Sequence, residues 1–197
     1  ELFGLDPAVT YLNHGTVGAT PRRVILAQQR WQQQMERQPS AFLLRELVPL
    51  GLGLPRPDRG RLRAAAAKVA AFVGAGSDDL VFVDNATAGA NAVLRSLDLR
   101  PGDEILLTDH TYGAVANAAA FVARERKAQV RTVEVPYPAF DRGALLTALE
   151  AAMGPRTRLL VVDHITSESA LILPVAEIAA RARAKGVSVL VDGAHAP

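Results

Sequence analysis

Residues 187–197 read VSVLVDGAHAP: four of the first five positions are apolar, and polarity changes abruptly at Asp192, with His195 three positions on. A short, continuous apolar run bounded by Gly186 and Gly193 reads as a buried parallel strand, because an amphipathic helix would interrupt the run with polar positions. In open α/β sheets, ligands bind beyond the carboxyl ends of the strands. A carboxylate and an imidazole therefore fall where such a fold places a site. The plainer alternative is that Asp192 caps the following turn and His195 lies on a surface loop.

Working back from this strand, the pattern alternates. Leu80–Val83 reads as a strand, 87–97 as a helix, 104–108 as a strand and 112–127 as a long alanine-rich helix. Then come a strand at 130–135, a helix at 141–153, a strand at 159–162 and a helix at 175–185. Short turns such as RPGD join these elements. The expected fold class is α/β, a mostly parallel sheet with helices on both faces.

The N-terminal part reads differently. Residues 1–20 are irregular, since YLNHGTVGATP packs Asn, Gly and Pro together. Thr20 and Pro21 then read as an N-cap and first-turn proline for a helix to about Arg37, with Trp31 as a packing residue. Residues 47–59 hold three prolines with Gly51 and Gly53, and are expected to form a mobile loop. A helix is expected from about Asp58 to Val73, stopped by Gly74. The expected domain organisation is an irregular segment, 1–20, followed by one body, 21–197.

Composition narrows the function classes. At 197 residues and 49% hydrophobic content, the chain can bury a real core. No apolar run approaches the roughly 20 residues of a membrane-spanning helix, and the N-terminus lacks a basic-then-apolar signal pattern, so a cytoplasmic location is expected. The absence of cysteine excludes disulfides, thiolate metal sites and a Cys nucleophile. Among 22 Lys and Arg only Lys68, Lys127 and Lys185 are lysine, and the arginines are interspersed with acids. No basic face argues for nucleic acid. The densest cluster, RGRLR at 59–63, reads as a solvated first helical turn.

Polar clusters follow the expected strands: Asp84-Asn85-Ala86-Thr87, Asp109-His110-Thr111-Tyr112, Asp163-His164-Ile165-Thr166-Ser167 and Asp192-Gly193-Ala194-His195. Strand ends on one side of a parallel sheet are neighbours, so these clusters can converge on one crevice. Small residues from Ala86 to Gly89 open a helix and present backbone N–H groups to an anion such as a phosphate, although a Thr near a helix start is also an ordinary cap. Tyr112 could lay its ring over a flat ligand. Asp192 is the partner a protonated heteroaromatic nitrogen requires.

Phosphate cradle, stacking ring and carboxylate together describe pyridoxal 5′-phosphate (PLP). The segments YLNHGTVGATP, FVDNATAGANAVLRSL, PGDEILLTDHTYGAVANA, VVDHITSESALILPV and VLVDGAHAP, in that order, resemble the class V aminotransferase family of fold-type I PLP enzymes, most of all its isopenicillin N epimerase-like members. The resemblance implies a PLP-dependent transferase-like large domain, incomplete at its C-terminus. It implies that Ala86 and Thr87 bind the cofactor phosphate, Tyr112 stacks on the ring, Asp192 pairs with the ring nitrogen and His195 neighbours the ring hydroxyl. Ser167 falls where related desulfurases carry an Asn near that hydroxyl. Asn13 and His14 fall in a segment that often borders the substrate entrance. The family's Schiff-base lysine comes a few tens of residues after VDGAH, so it is expected beyond Pro197, and the chain is expected to be the first half of a longer, homodimeric enzyme.

The expected activity is therefore PLP chemistry at the α-carbon of a small amino-acid substrate. Epimerisation, desulfurase or C–S lyase cleavage, and transamination share that start and stay open. Two readings from other classes are a divalent-metal hydrolase using Asp109, His110, Asp163, His164, Asp192 and His195, and a non-catalytic remnant that binds a partner. A dinucleotide module is disfavoured, because Gly74 and Gly76 follow a helix where the fingerprint needs a strand.

Overall fold

A computed structural model describes residues 2–15, 17–47 and 60–196, and the chain divides into two compact units, Glu1–Phe82 and Val83–Pro197. The division falls inside the 21–197 body expected from the sequence.

The first unit holds α1 (Arg22–Arg37), α2 (Pro39–Ala41), a π-helical turn at Phe42–Leu47 and α3 (Gly60–Val73). Pro21 occupies the N-cap of α1 and no side chain caps that end, so Thr20 does not play the expected role. Trp31 packs near the Phe42 ring, 6.1 Å between centroids, and lies under the Arg61 guanidinium at 4.9 Å. Arg61 also pairs with Glu46 at 2.8 Å, and Arg63 donates to the Leu80 carbonyl at 2.7 Å. The arginines at 61 and 63 are thus tied down within their unit and not simply solvated. Gly74 ends α3 with φ +73°, and the Ala75 N–H returns to the Ala70 carbonyl at 2.8 Å, the closure expected of a glycine stop. The mobile loop expected at 47–59 lies outside the described residues apart from Leu47, as do the expected helix start at Asp58 and Arg59 of the basic cluster.

The second unit carries the alternation. Its elements are α4 (Ala86–Ser96), β1 (Glu104–Thr108), α5 (Gly113–Glu125), β2 (Gln129–Val133), α6 (Arg142–Ala152), β3 (Thr157–Asp163), α7 (Val175–Ala184) and β4 (Ser188–Asp192). The four strands form a parallel sheet in the order β2-β1-β3-β4. Side chains alternate faces along a strand, and here the alternation divides the core in two. Leu106, Leu160 and Val162 point toward Leu145, Leu149 and Ile178 of α6 and α7. Ile105, Leu107, Leu159 and Val161 point toward Leu94, Val115 and Ala119 of α4 and α5. Because both faces are covered, β1 and β3 read as near-continuous apolar runs, which is what made them legible.

One expected strand does not form. Leu80–Val83 has no ladder partner among the described residues, and Val81 is 72% exposed. A strand exists only where a neighbour shares its backbone hydrogen bonds, and four apolar residues cannot supply that neighbour. At the amino ends of the strands, the buried Asp103 and Glu104 are matched to Arg158 at 2.9 Å and Arg131 at 3.2 Å. The Arg100 backbone N–H holds the Asp103 carboxyl below the ordinary range. No described helix is long and apolar enough to cross a membrane.

Candidate functional site

The sheet order makes the carboxyl ends of β1, β3 and β4 consecutive neighbours, which gathers three of the four polar clusters. Asp163 and Asp192 are register partners at the last positions of β3 and β4, and the His164 N–H donates to the Asp192 carbonyl at 2.8 Å. Paired positions on adjacent strands project side chains to the same face, so two carboxylates stand side by side at the mouth of the sheet.

The two acids differ in environment. Asp192 is half-buried and its Oδ1 accepts the Ala194 N–H at 3.1 Å, closing the turn that carries the exposed His195. Asp163 is 3% exposed. Its Oδ1 accepts the backbone N–H of Tyr112 at 3.1 Å, and its buried Oδ2 has no hydrogen-bond partner. Burial pushes the Asp163 carboxyl up to about 6, against the pull of the Tyr112 N–H. The charge of Asp192 raises it further, while His195 and His110 lower it. A buried carboxyl oxygen without a partner is costly, and a perturbed acid at the ligand-binding end of a sheet is a candidate functional group.

Tyr112 opens α5 as its N-cap residue, with 46% of its surface exposed, so its ring is available at the crevice while its backbone is pinned by Asp163. His110, two residues earlier, bonds through Nδ1 to Ser169 Oγ at 2.6 Å, and its ring meets the edge of Tyr137 at 5.5 Å. Ser169 Oγ lies 2.8 Å from Thr166 Oγ1, which accepts the Leu171 N–H at 2.8 Å. A line of hydroxyls thus joins the turn after β1 to the turn after β3. Ser167, the serine singled out from the sequence, is exposed, and the hydroxyl that reaches His110 belongs to Ser169.

The fourth cluster stands at the N-terminus of α4, without a strand before it. Asn85 caps the helix, its Oδ1 accepting the Ala88 N–H at 2.8 Å, and the Gly89 N–H bonds the Asn85 carbonyl at 3.1 Å. The Gly89 bond is the first within the helix, so of the N–H groups a helix start leaves open the cap takes that of Ala88, and those of Ala86 and Thr87 are among the ones that remain for an anion. The cap is therefore Asn85, and Thr87 sits inside the first turn, half-buried.

Asn13 and His14 belong to the first unit. There His14 stands edge-on to Tyr11, 4.9 Å between centroids, and its Nδ1 accepts the Ala19 N–H at 3.4 Å. The metal reading loses its ligand set: Asp109 turns to β2, accepting the Val135 N–H at 2.8 Å, and the described residues contain no group of three or more His, Asp or Glu placed to hold an ion. Both lysines of the second unit, Lys127 and Lys185, precede strands and so lie at the amino end of the sheet, opposite the site. Lys185 donates to the Glu150 carbonyl at 2.7 Å. The sequence carries one signal for Asp163: RLLVVD at 158–163 repeats the apolar-run-then-Asp form of SVLVD at 188–192.

The family model for Aminotransferase class-V matches residues 60–196. Isopenicillin N epimerase of Streptomyces clavuligerus is 38% identical over 193 residues, covering 98% of this chain and 46% of that protein. Putative L-cysteine desulfhydrase 2 of Oryza sativa subsp. japonica is also 38% identical, over 97% of this chain and 41% of that protein. Among solved structures, a variant of C-DES with glycine covalently linked to its PLP cofactor aligns with a TM-score of 0.77 at 27% identity, covering 95% of this chain and 47% of that one. The chain thus spans about half the length of the relatives it matches.

Proposed function

Since the chain belongs to the class V aminotransferase family, we propose that it forms the cofactor-binding front half of a PLP-dependent enzyme acting at the α-carbon of an amino-acid substrate, with epimerisation as its reaction. The observation that carries this reading is the carboxylate at the end of β4, Asp192, set in register with Asp163 and beside the turn that presents Tyr112.

The donor set fits the cofactor. A phosphate dianion suits the two open N–H groups of Ala86 and Thr87 at the positive end of α4. A flat heteroaromatic ring suits the exposed face of Tyr112, and a protonated ring nitrogen suits Asp192. When bound, PLP supplies an electron-poor ring that can accept the electron pair left at the substrate α-carbon. With the group bound, Asp192 would keep the ring nitrogen protonated, Tyr112 would cover the ring and exclude water, and His195 would pair with the ring hydroxyl. Ser167 would serve that hydroxyl by the resemblance, and Ser169, hydrogen-bonded to His110, is the alternative. By the resemblance, Asn13 and His14 would border the substrate entrance. The lysine that moves the α-proton is neither Lys127 nor Lys185.

Epimerisation is supported by the identity to isopenicillin N epimerases of Streptomyces clavuligerus and Amycolatopsis lactamdurans, 38% in each case. C–S bond cleavage is the second reading, supported by the equal identity to a desulfhydrase and by the C-DES structure. Incubating the holoenzyme with isopenicillin N and, separately, with L-cysteine separates them. Inverted stereochemistry at the α-carbon by chiral chromatography, without sulfide, supports the first; sulfide release supports the second. Asp192→Ala should abolish either activity and weaken PLP binding at least tenfold. A variant with unchanged PLP affinity and turnover would refute the assignment of the ring-nitrogen acid. The resemblance also leads us to propose a cytoplasmic homodimer, tested by cell fractionation and light scattering.

A further inference from the structure

Asp163 holds no cofactor atom in the proposed function, yet it is the most deeply buried acid at the site and half of its carboxyl group is unsatisfied. Its Oδ1 fixes the Tyr112 backbone at 3.1 Å, its Oδ2 is enclosed without a partner, and its register neighbour is Asp192. The charged groups that face it are Asp192 and His195, from β4 and the turn after it, and His110 from the turn after β1. A protein that needed Asp163 only to pin Tyr112 could use an amide or a hydroxyl, with no buried charge to carry.

Resting on the PLP reading, we propose that Asp163 is a second carboxylate of the cofactor site: it positions Tyr112 through Oδ1 and, by ionising when the cationic ring binds beside Asp192, reinforces protonation of the ring nitrogen. In the empty site, burial favours the neutral acid near and below pH 6. A pyridinium charge beside the pair favours the carboxylate. Where the empty site still holds the Asp163 proton, binding then releases it to solvent; at higher pH the carboxylate is already formed and attracts the ring directly.

The test is an absorbance titration of the apoenzyme with PLP from pH 5 to pH 8, for wild type and Asp163→Asn. Asparagine keeps an acceptor for the Tyr112 N–H and removes the charge, with an amide NH2 in place of Oδ2. The expected result is equal affinity near pH 5 and about tenfold weaker binding of the variant at pH 8, since a coupling of one pKa unit is a factor of ten. With 15N-labelled PLP, the ring-nitrogen resonance of the variant at pH 8 should move toward the unprotonated position. Parallel wild-type and variant affinities over the whole range, with an unmoved nitrogen resonance, would overturn the inference and leave the PLP reading standing. Failure of the wild type to bind PLP would overturn both. Asp163→Ala, which also frees Tyr112, separates the two roles: it should weaken binding at pH 5 as well, where Asp163→Asn does not.

Discussion

Asp163→Asn has a consequence for folding that needs no cofactor. The Asp163 carboxyl stands at about 6 in the folded protein against 3.8 in an exposed reference. The folded state therefore holds this proton more tightly than the unfolded chain does. The stability that goes with it is complete below about pH 4, is lost as pH rises through about 6, and stays lost above that. A difference of roughly two units, at 1.36 kcal/mol per unit, sets the loss at about 3 kcal/mol. The asparagine variant has no such proton, so its stability relative to wild type should improve by about 3 kcal/mol between pH 4 and pH 8. Comparing the two proteins at both pH values cancels the cost of burying the amide and the titration of the acids that do not interact with Asp163. Urea unfolding of the apoprotein followed by far-UV circular dichroism measures this directly. If the variant's stability relative to wild type were the same at pH 4 and pH 8, the buried and unsatisfied state of Asp163 would be refuted. Together with the expected loss of PLP affinity, this would make Asp163 a group that costs stability in the empty site and serves the loaded one.

Other perturbations probe the frame that holds the site. Lys127 adopts φ 54° at the end of α5, where the Ala128 N–H closes on the Ala123 carbonyl; Lys127→Gly should stabilise by about 0.5–1 kcal/mol, read as a rise in melting temperature. Leu160 is fully buried at the centre of the sheet, and Leu160→Ala should cost about 2–5 kcal/mol in a urea titration. Asn85→Ala removes the cap on Ala88; it should cost about 1 kcal/mol in the same titration and weaken PLP binding by misplacing the open N–H groups of α4.

What the sequence determined by itself was everything written in local pattern. The apolar runs at 105–107 and 159–162 were legible as strands because both faces of the sheet are covered, and Gly74 marked a helix end because the chain takes positive φ there. The acids and the tyrosine of the site were legible because each follows such a run, and a parallel sheet must bring those ends together. Tertiary structure alone decided the rest. Leu80–Val83 has the composition of a strand but no neighbour to bond, so pattern overstated it. Asp109 and Asp163 look alike in sequence, each the acid before a histidine after an apolar run. Only the register of β3 with β4 sets Asp163 beside Asp192, and only the bond to Val135 turns Asp109 away. Likewise Ser169, not Ser167, reaches His110, a distinction that depends on how one turn closes. Residue type announces which chemistry a chain can carry, whereas distance and burial, which fix the charge on an acid, exist only after distant segments have packed.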